Sequence, residues 1–156
     1  MKTTLRVKDL LKEKGISYEM IPHPQRFTAL ETAEAEHVPG RVVAKVVMAK
    51  IGCKDVMFII PADSLLDFFK LSAEFGTRDI RIEQEGEFEA LFPDCEAGAM
   101  PPFGILYGIS CYVDVKLLAN KDIVFNAGSY DESLRMALKD YLLLSEAAIG
   151  DFSILR

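Results

Sequence analysis

Tryptophan is absent from the 156 residues, histidine occurs twice (His23 and His37) and cysteine three times (Cys53, Cys95 and Cys111). The cysteines are odd in number and no pair has C-x-x-C spacing, which argues against a disulfide framework or a zinc site. Reduced, mostly buried thiols are expected instead. A Cys–His nucleophilic pair has only this short inventory to draw on, and nothing favours it. No apolar run is long enough to cross a membrane. Met1 to Lys8 lead into no signal-peptide stretch, so a cytoplasmic protein with no membrane partner is expected. Neither G-x-x-x-x-G-K nor G-x-G-x-x-G occurs. Positive charge is also in deficit, 18 Lys and Arg against 24 Asp and Glu, for a net charge of −6. Broad binding to nucleic acid needs a basic surface. Any contact with RNA is therefore confined to a small region.

What is present is ordinary globular composition, 50% hydrophobic and 27% charged, at a length that suits one domain over residues 1–156. No repeat or composition shift marks a second. Thr3 or Thr4 caps an opening helix with Val7, Leu10, Leu11 and Lys14 at helical spacing, stopped by Gly15. Ser17 to Ile21 reads as a strand, and Thr28 with Glu31 has the spacing of a capping box for a helix reaching His37. Arg41 to Ile51 and Val56 to Ile60 form a hairpin around Gly52-Cys53-Lys54-Asp55. Pro61 and Asp63 open a helix carrying Leu65, Leu66, Phe68, Phe69 and Leu71, closed by Gly76. A strand near Asp79 to Ile82, a helix near Glu83 to Phe92 and a loop from Asp94 to Gly104 follow. Further strands are expected at Ile105 to Val115, Asp122 to Asn126 and near Leu134, and a helix from Leu138 to Ala148. Without a regular βαβ alternation, the pattern is α+β.

Three features could carry chemistry. Lys45 sits mid-strand and shares its face with Val43 and Val47, because strand side chains alternate. An unpaired buried ammonium is costly, so Lys45 either reaches water from an edge strand or lines a cavity and holds a phosphate. Lys50, on the opposite face, is expected to be solvated. The second feature is the loop Asp94 to Gly104. Gly98 and Gly104 permit close backbone approach, while Pro101 and Pro102 stiffen the chain and remove two donors. It is either a rigid turn or a preformed pocket exposing backbone N–H groups. The third, Asn126-Ala127-Gly128-Ser129-Tyr130, reads as a turn after an apolar strand. Phe58, Phe68, Phe69 and Phe75 read as core, since no aromatic is interleaved with a basic run. Asp63 and Asp67 stand one helical turn apart without histidines, so no metal is expected. No cofactor is expected either.

Together these features resemble the YbaK/ProX family, the domain associated with prolyl-tRNA synthetase editing. Lys45 in Ala44-Lys45-Val46-Val47 is similar to that family's functional lysine. Gly98 to Pro102 matches a G-x-x-x-P pattern, extended through Phe103 and Gly104. Asn126 to Ser129 resembles its glycine turn, Asp114 its aspartate after an apolar strand, and Ala147 to Phe152 its closing segment. The resemblance implies a curved, barrel-like mixed sheet flanked by helices, in one YbaK-like domain. It implies an aminoacyl-tRNA deacylase acting in trans on mischarged tRNA, with a small amino acid such as alanine removed. Lys45 and Gly98 would be catalytic, and Thr28, Ala99, Met100, Pro101, Pro102, Phe103, Gly104, Gly128, Ser129 and Tyr130 would hold substrate. Its partners would be the acceptor end of a charged tRNA and a synthetase, not DNA. Val46 and Tyr130 depart from members that often carry a polar residue and a histidine there, which bears on amino-acid specificity. The alternatives are a non-catalytic aminoacyl-tRNA binding module and a hydrolase of another small ester.

Overall fold

The computed structural model describes residues 3–22, 40–96, 98–128 and 132–155. The expected helix from Thr28 to His37 lies outside them, as do Ser129, Tyr130 and both histidines. Helix α1 (Thr3–Glu13) leads to strand β1 (Tyr18–Pro22). It ends with the Gly15 N–H donating to the Lys12 carbonyl at 3.1 Å and the Ile16 N–H to Leu11 at 2.9 Å, which satisfies carbonyls that a helix end leaves open. The hairpin forms as expected from β2 (Ala44–Ile51) and β3 (Lys54–Pro61). Pairing runs out to Ile51 opposite Lys54, so the turn is only Gly52-Cys53.

β3 is buried along almost its whole length, because the sheet containing it is covered on both faces. Strands β5 (Ile80–Ile82), β2, β3, β6 (Ser110–Asp114) and β9 (Ala148–Gly150) lie in that order. The β5-β2-β3 pairs are antiparallel, and β3-β6 and β6-β9 are parallel. One face sends Ala44, Met48, Met57 and Ile59 into a core with Val7 and Leu11 of α1 and Met100 and Phe103 of the loop. The other sends Ala49, Val56, Phe58 and Ile60 against Leu66, Leu71 and Phe152. A three-stranded antiparallel sheet, β1 with β8 (Glu132–Ala137) and β7 (Asp122–Asn126), completes the first core. The fold is α+β with a mixed sheet. Among the described residues the ladders stay separate rather than closing into a barrel, joined at one isolated parallel bridge between Val43 and Val124.

Several local expectations change. Residues 64–66 are not helical: β4 (Ser64–Leu66) pairs with β10 (Ser153–Leu155), and helix α2 starts only at Phe68 and ends at Phe75. Its cap is Asp67, whose carboxylate accepts from the Phe69 and Lys70 N–H groups at 2.9 and 3.3 Å. Asp63, taken for the helix start, is not the cap. Phe69 is 86% exposed and Phe68 partly so, which removes both from the expected core. The helix around 83–92 is one short turn, α3 (Glu85–Phe88), followed by a 3-10 turn. The expected strand from Ile105 shortens to β6, because Gly104 to Leu106 wind into a 3-10 turn. Helix α4 (Leu138–Ser145) stops before Ala148, with Glu146 in the left-handed region, and the tail returns as β9 and β10. Lys50 is half-buried rather than solvated, with its ammonium 3.2 Å from Asp55 and 3.8 Å from Glu83. Among the described residues no helix is long and apolar enough to cross a membrane.

Candidate active site

The turn after β7 and the glycine–proline loop are joined by their backbones. The Gly128 N–H donates to the Ala99 carbonyl at 2.8 Å, and the Glu96 N–H donates to the Gly128 carbonyl at 2.8 Å. Within the loop the Ala99 N–H returns to the Glu96 carbonyl at 3.0 Å. That bond closes a tight turn that contains Gly98. Gly98 has φ 86 and Gly128 φ 110, angles that a side chain disfavours and that explain glycine at both. Ala99, Met100, Pro101, Pro102, Phe103 and Gly104 are buried, whereas Gly98 is exposed. Gly104 has a different reason to lack a side chain, since a Cβ there would collide with the Ile109 carbonyl oxygen.

Gly98 presents its N–H to the Met100 sulfur at 3.1 Å. A thioether is a weak acceptor, so this donor is easily transferred to a stronger one, such as a developing oxyanion. The loop entrance is braced by Arg6 of α1. Its guanidinium donates to Asp94 at 3.0 Å and to the Leu106 carbonyl, and lies 4.7 Å above the Tyr107 ring. The Asp94 hydrogen bond raises the Arg6 pKa further. Tyr107 also donates to Asp94, at 3.2 Å.

Lys45 is half-buried and lies opposite Ile60 in the β2–β3 register. Its face-mates Val47 and Ala49 pack in the second core, whereas Met100 and Phe103 pack in the first. The Val43–Val124 bridge sets Lys45 alongside β7, the strand that leads to the Gly128 turn. From it β2 proceeds to Lys45 as β7 proceeds to Asn126 and the Gly128 turn, with the two strands in contact. Two clefts among the described residues lie elsewhere. One, about 840 Å³, is bordered by α1, Ile105 and α4; the other, about 670 Å³, lies along α2.

The cysteines, expected to be mostly buried, are less so: Cys53 is exposed and Cys95 and Cys111 are half-buried. Burial raises the Cys111 thiol to about 11, leaving it protonated at neutral pH. Asp114 is fully buried and structural: its carboxylate accepts from the Lys116 N–H at 2.8 Å and the Phe152 N–H at 3.0 Å. That ties the closing segment to the end of β6. Sequence reasoning missed Arg6, the Asp55–Glu83 pair and Tyr141. Only Tyr141 left a trace, as a polar-tipped residue at the inward i, i+3 spacing from Leu138.

A profile of the aminoacyl-tRNA editing domain family matches residues 23–144. The chain belongs to that family. Its reaction class is hydrolysis of the ester joining an amino acid to tRNA. The editing domain is 25% identical over 155 residues to the multifunctional Ser/Thr-tRNA deacylase ProXp-y of Escherichia coli (strain K12), covering 96% of this chain and 92% of that protein. Its fold is shared with a candidate trans-editing enzyme for prolyl-tRNA synthetase, with TM-score 0.84, 22% identity, and 99% and 98% of the two chains covered. A scaffold from a study of epitope backbone grafting is similar at TM-score 0.83 and 24% identity, over 99% and 98% of the chains.

Proposed function

We propose that this editing domain clears tRNA mischarged with a small amino acid, alanine first, acting in trans as a single domain in the cytoplasm. The stitching of the Gly128 turn onto the Gly98 loop carries this reading, because it holds a weakly engaged N–H donor on a rigid support. The ester is already activated, so catalysis needs a positioned water and a stabilised oxyanion rather than a strong protein nucleophile. In this reading Gly98 supplies the oxyanion donor. Lys45 holds the phosphate or ribose of the terminal nucleotide, a task suited to a point charge on a flexible stem. Ala99, Met100, Pro101, Pro102, Phe103 and Gly104 form the wall that limits side-chain size, and Thr28, Gly128, Ser129 and Tyr130 complete the substrate contacts.

The substrate's own 2′-OH helps orient water and excludes DNA. The acidic net charge fits contact confined to the acceptor end, with an aminoacyl-tRNA synthetase as partner. Serine and threonine esters are the second candidates, because the Escherichia coli relative is named for them. The test is loss of ester from separately charged Ala-, Ser-, Thr- and Cys-tRNA, with a bulky aromatic ester as counter-substrate. Preference for the aromatic ester would overturn the small-residue reading. Equal hydrolysis of free amino-acid esters would favour a general small-ester hydrolase, and tight binding without turnover a binding module.

A further inference from the structure

The Gly98–Gly104 loop is held at two ends by different elements. Its first end is bonded to the Gly128 turn. Toward its second end, Pro101 and Pro102 have no N–H and cannot anchor themselves through donors. There the Pro102 carbonyl is buried and accepts from the Tyr141 hydroxyl at 2.7 Å. Tyr141 comes from α4, has no exposed surface, and packs edge-on against Phe103 with ring centroids 5.3 Å apart. Phe103 in turn packs on Phe125, the β7 residue just before Asn126, at 5.6 Å. One buried phenol is thus bonded to the wall of the site and packed, through Phe103, on the strand that leads to the Gly128 turn.

We infer that Tyr141 is a positioning residue for deacylation, acting through the Pro102 carbonyl to set where the Gly98 loop meets the ester. This rests on the reading of that loop as the oxyanion wall. Removing the hydroxyl leaves a buried carbonyl without its partner, and that loss is relieved by moving the loop. A loop displaced by a fraction of an ångström takes its N–H out of the narrow distance range that stabilises an oxyanion. The tRNA end, held through Lys45, is still bound. Tyr141 therefore affects turnover rather than substrate affinity.

The test uses the full chain as wild type, Tyr141→Phe and Asp67→Ala. The last removes the α2 cap, on the opposite face of the five-stranded sheet, as a control for lost stability. On the best ester from the tRNA panel, Tyr141→Phe is expected to lower kcat by about tenfold, with KM within about twofold. Its discrimination between small and bulky esters narrows. Asp67→Ala keeps kcat despite a lower Tm. A kcat for Tyr141→Phe within about twofold of the Asp67→Ala value, at temperatures where both are folded, overturns the assignment. Should Tyr141→Phe not fold, site-specific 4-aminophenylalanine restores a donor at that position. Wild-type kcat in that protein supports the assignment, and a tenfold loss in a folded protein defeats it. A wild-type chain inactive on every ester would instead defeat the function proposed above, and this inference with it.

Discussion

Gly128 and Ala99 share a 2.8 Å hydrogen bond from the N–H of the first to the carbonyl of the second, and it welds the turn after β7 to the glycine–proline loop. Because Gly128 sits at φ 110, the bond depends on a residue without Cβ. Gly128→Ala is expected to cost about 1–3 kcal/mol through backbone strain and to lower deacylation further by releasing the loop. Thermal unfolding and single-turnover hydrolysis, measured on the same preparation, would separate the two effects. Wild-type stability together with wild-type rate would show that the weld is dispensable.

Lys45→Ala should reduce kcat/KM by about a hundredfold or more, the scale seen when a charge-stabilising contact is lost. Circular dichroism and Tm should remain near wild type, since the half-buried side chain is not a core packing element. Lys45→Arg should recover part of the activity, because charge survives while the shape of the head group changes. Full activity in the alanine variant would remove Lys45 from the mechanism.

Asp114 should behave as a structural anchor. Asp114→Ala leaves the Lys116 and Phe152 amides without their acceptor and frees the closing segment, at a cost of about 3 kcal/mol. The Tm should fall by roughly 6 °C or more, with kcat retained below the transition. A large fall in kcat without a change in Tm would point to a chemical role instead.

Stability should depend on pH through Glu83. Its side chain has no exposed surface, both its oxygens lack a hydrogen-bond donor, and the Lys50 ammonium is 3.8 Å away. Burial, reinforced by neighbouring Asp55, raises its pKa from 4.5 to about 7, while the Asp55 carboxylate, placed beside Glu83 and the Lys50 ammonium, is lowered. A carboxyl raised in the fold makes the folded state bind more protons than the unfolded chain. Its contribution to stability is therefore lost as pH rises from about 4.5 to about 7, with the full cost present above that. Glu83→Gln, neutral at every pH, should match wild type near pH 4.5 and exceed it by up to about 3 kcal/mol at pH 8. Urea unfolding at the two pH values tests this, and an advantage independent of pH would refute it.

Much of the architecture follows from patterns that act within a few residues. Helix α1 with its glycine stop, the β2–β3 hairpin, β7 and α4 were all legible, because periodicity and turn chemistry are local. The glycine–proline loop and the Asn126 turn stood out for the same reason, and together with Lys45 they placed the chain in its family.

Other features were decided by partners far away in the chain. Ser64 to Leu66 have apolar spacing that suits a helix, yet pair as a strand because Ser153 to Leu155 offer an edge. Phe69 reads as core but faces solvent, because its helix begins only at Phe68, after the Asp67 cap, and turns a different side inward. The Tyr141–Pro102 bond, the Asp55–Glu83 contact and the joining of Gly128 to Ala99 and Glu96 leave little trace in local spacing. A hydrogen bond or a close pair of carboxyls depends on where two distant backbones come to rest, and only the packed sheets determine that.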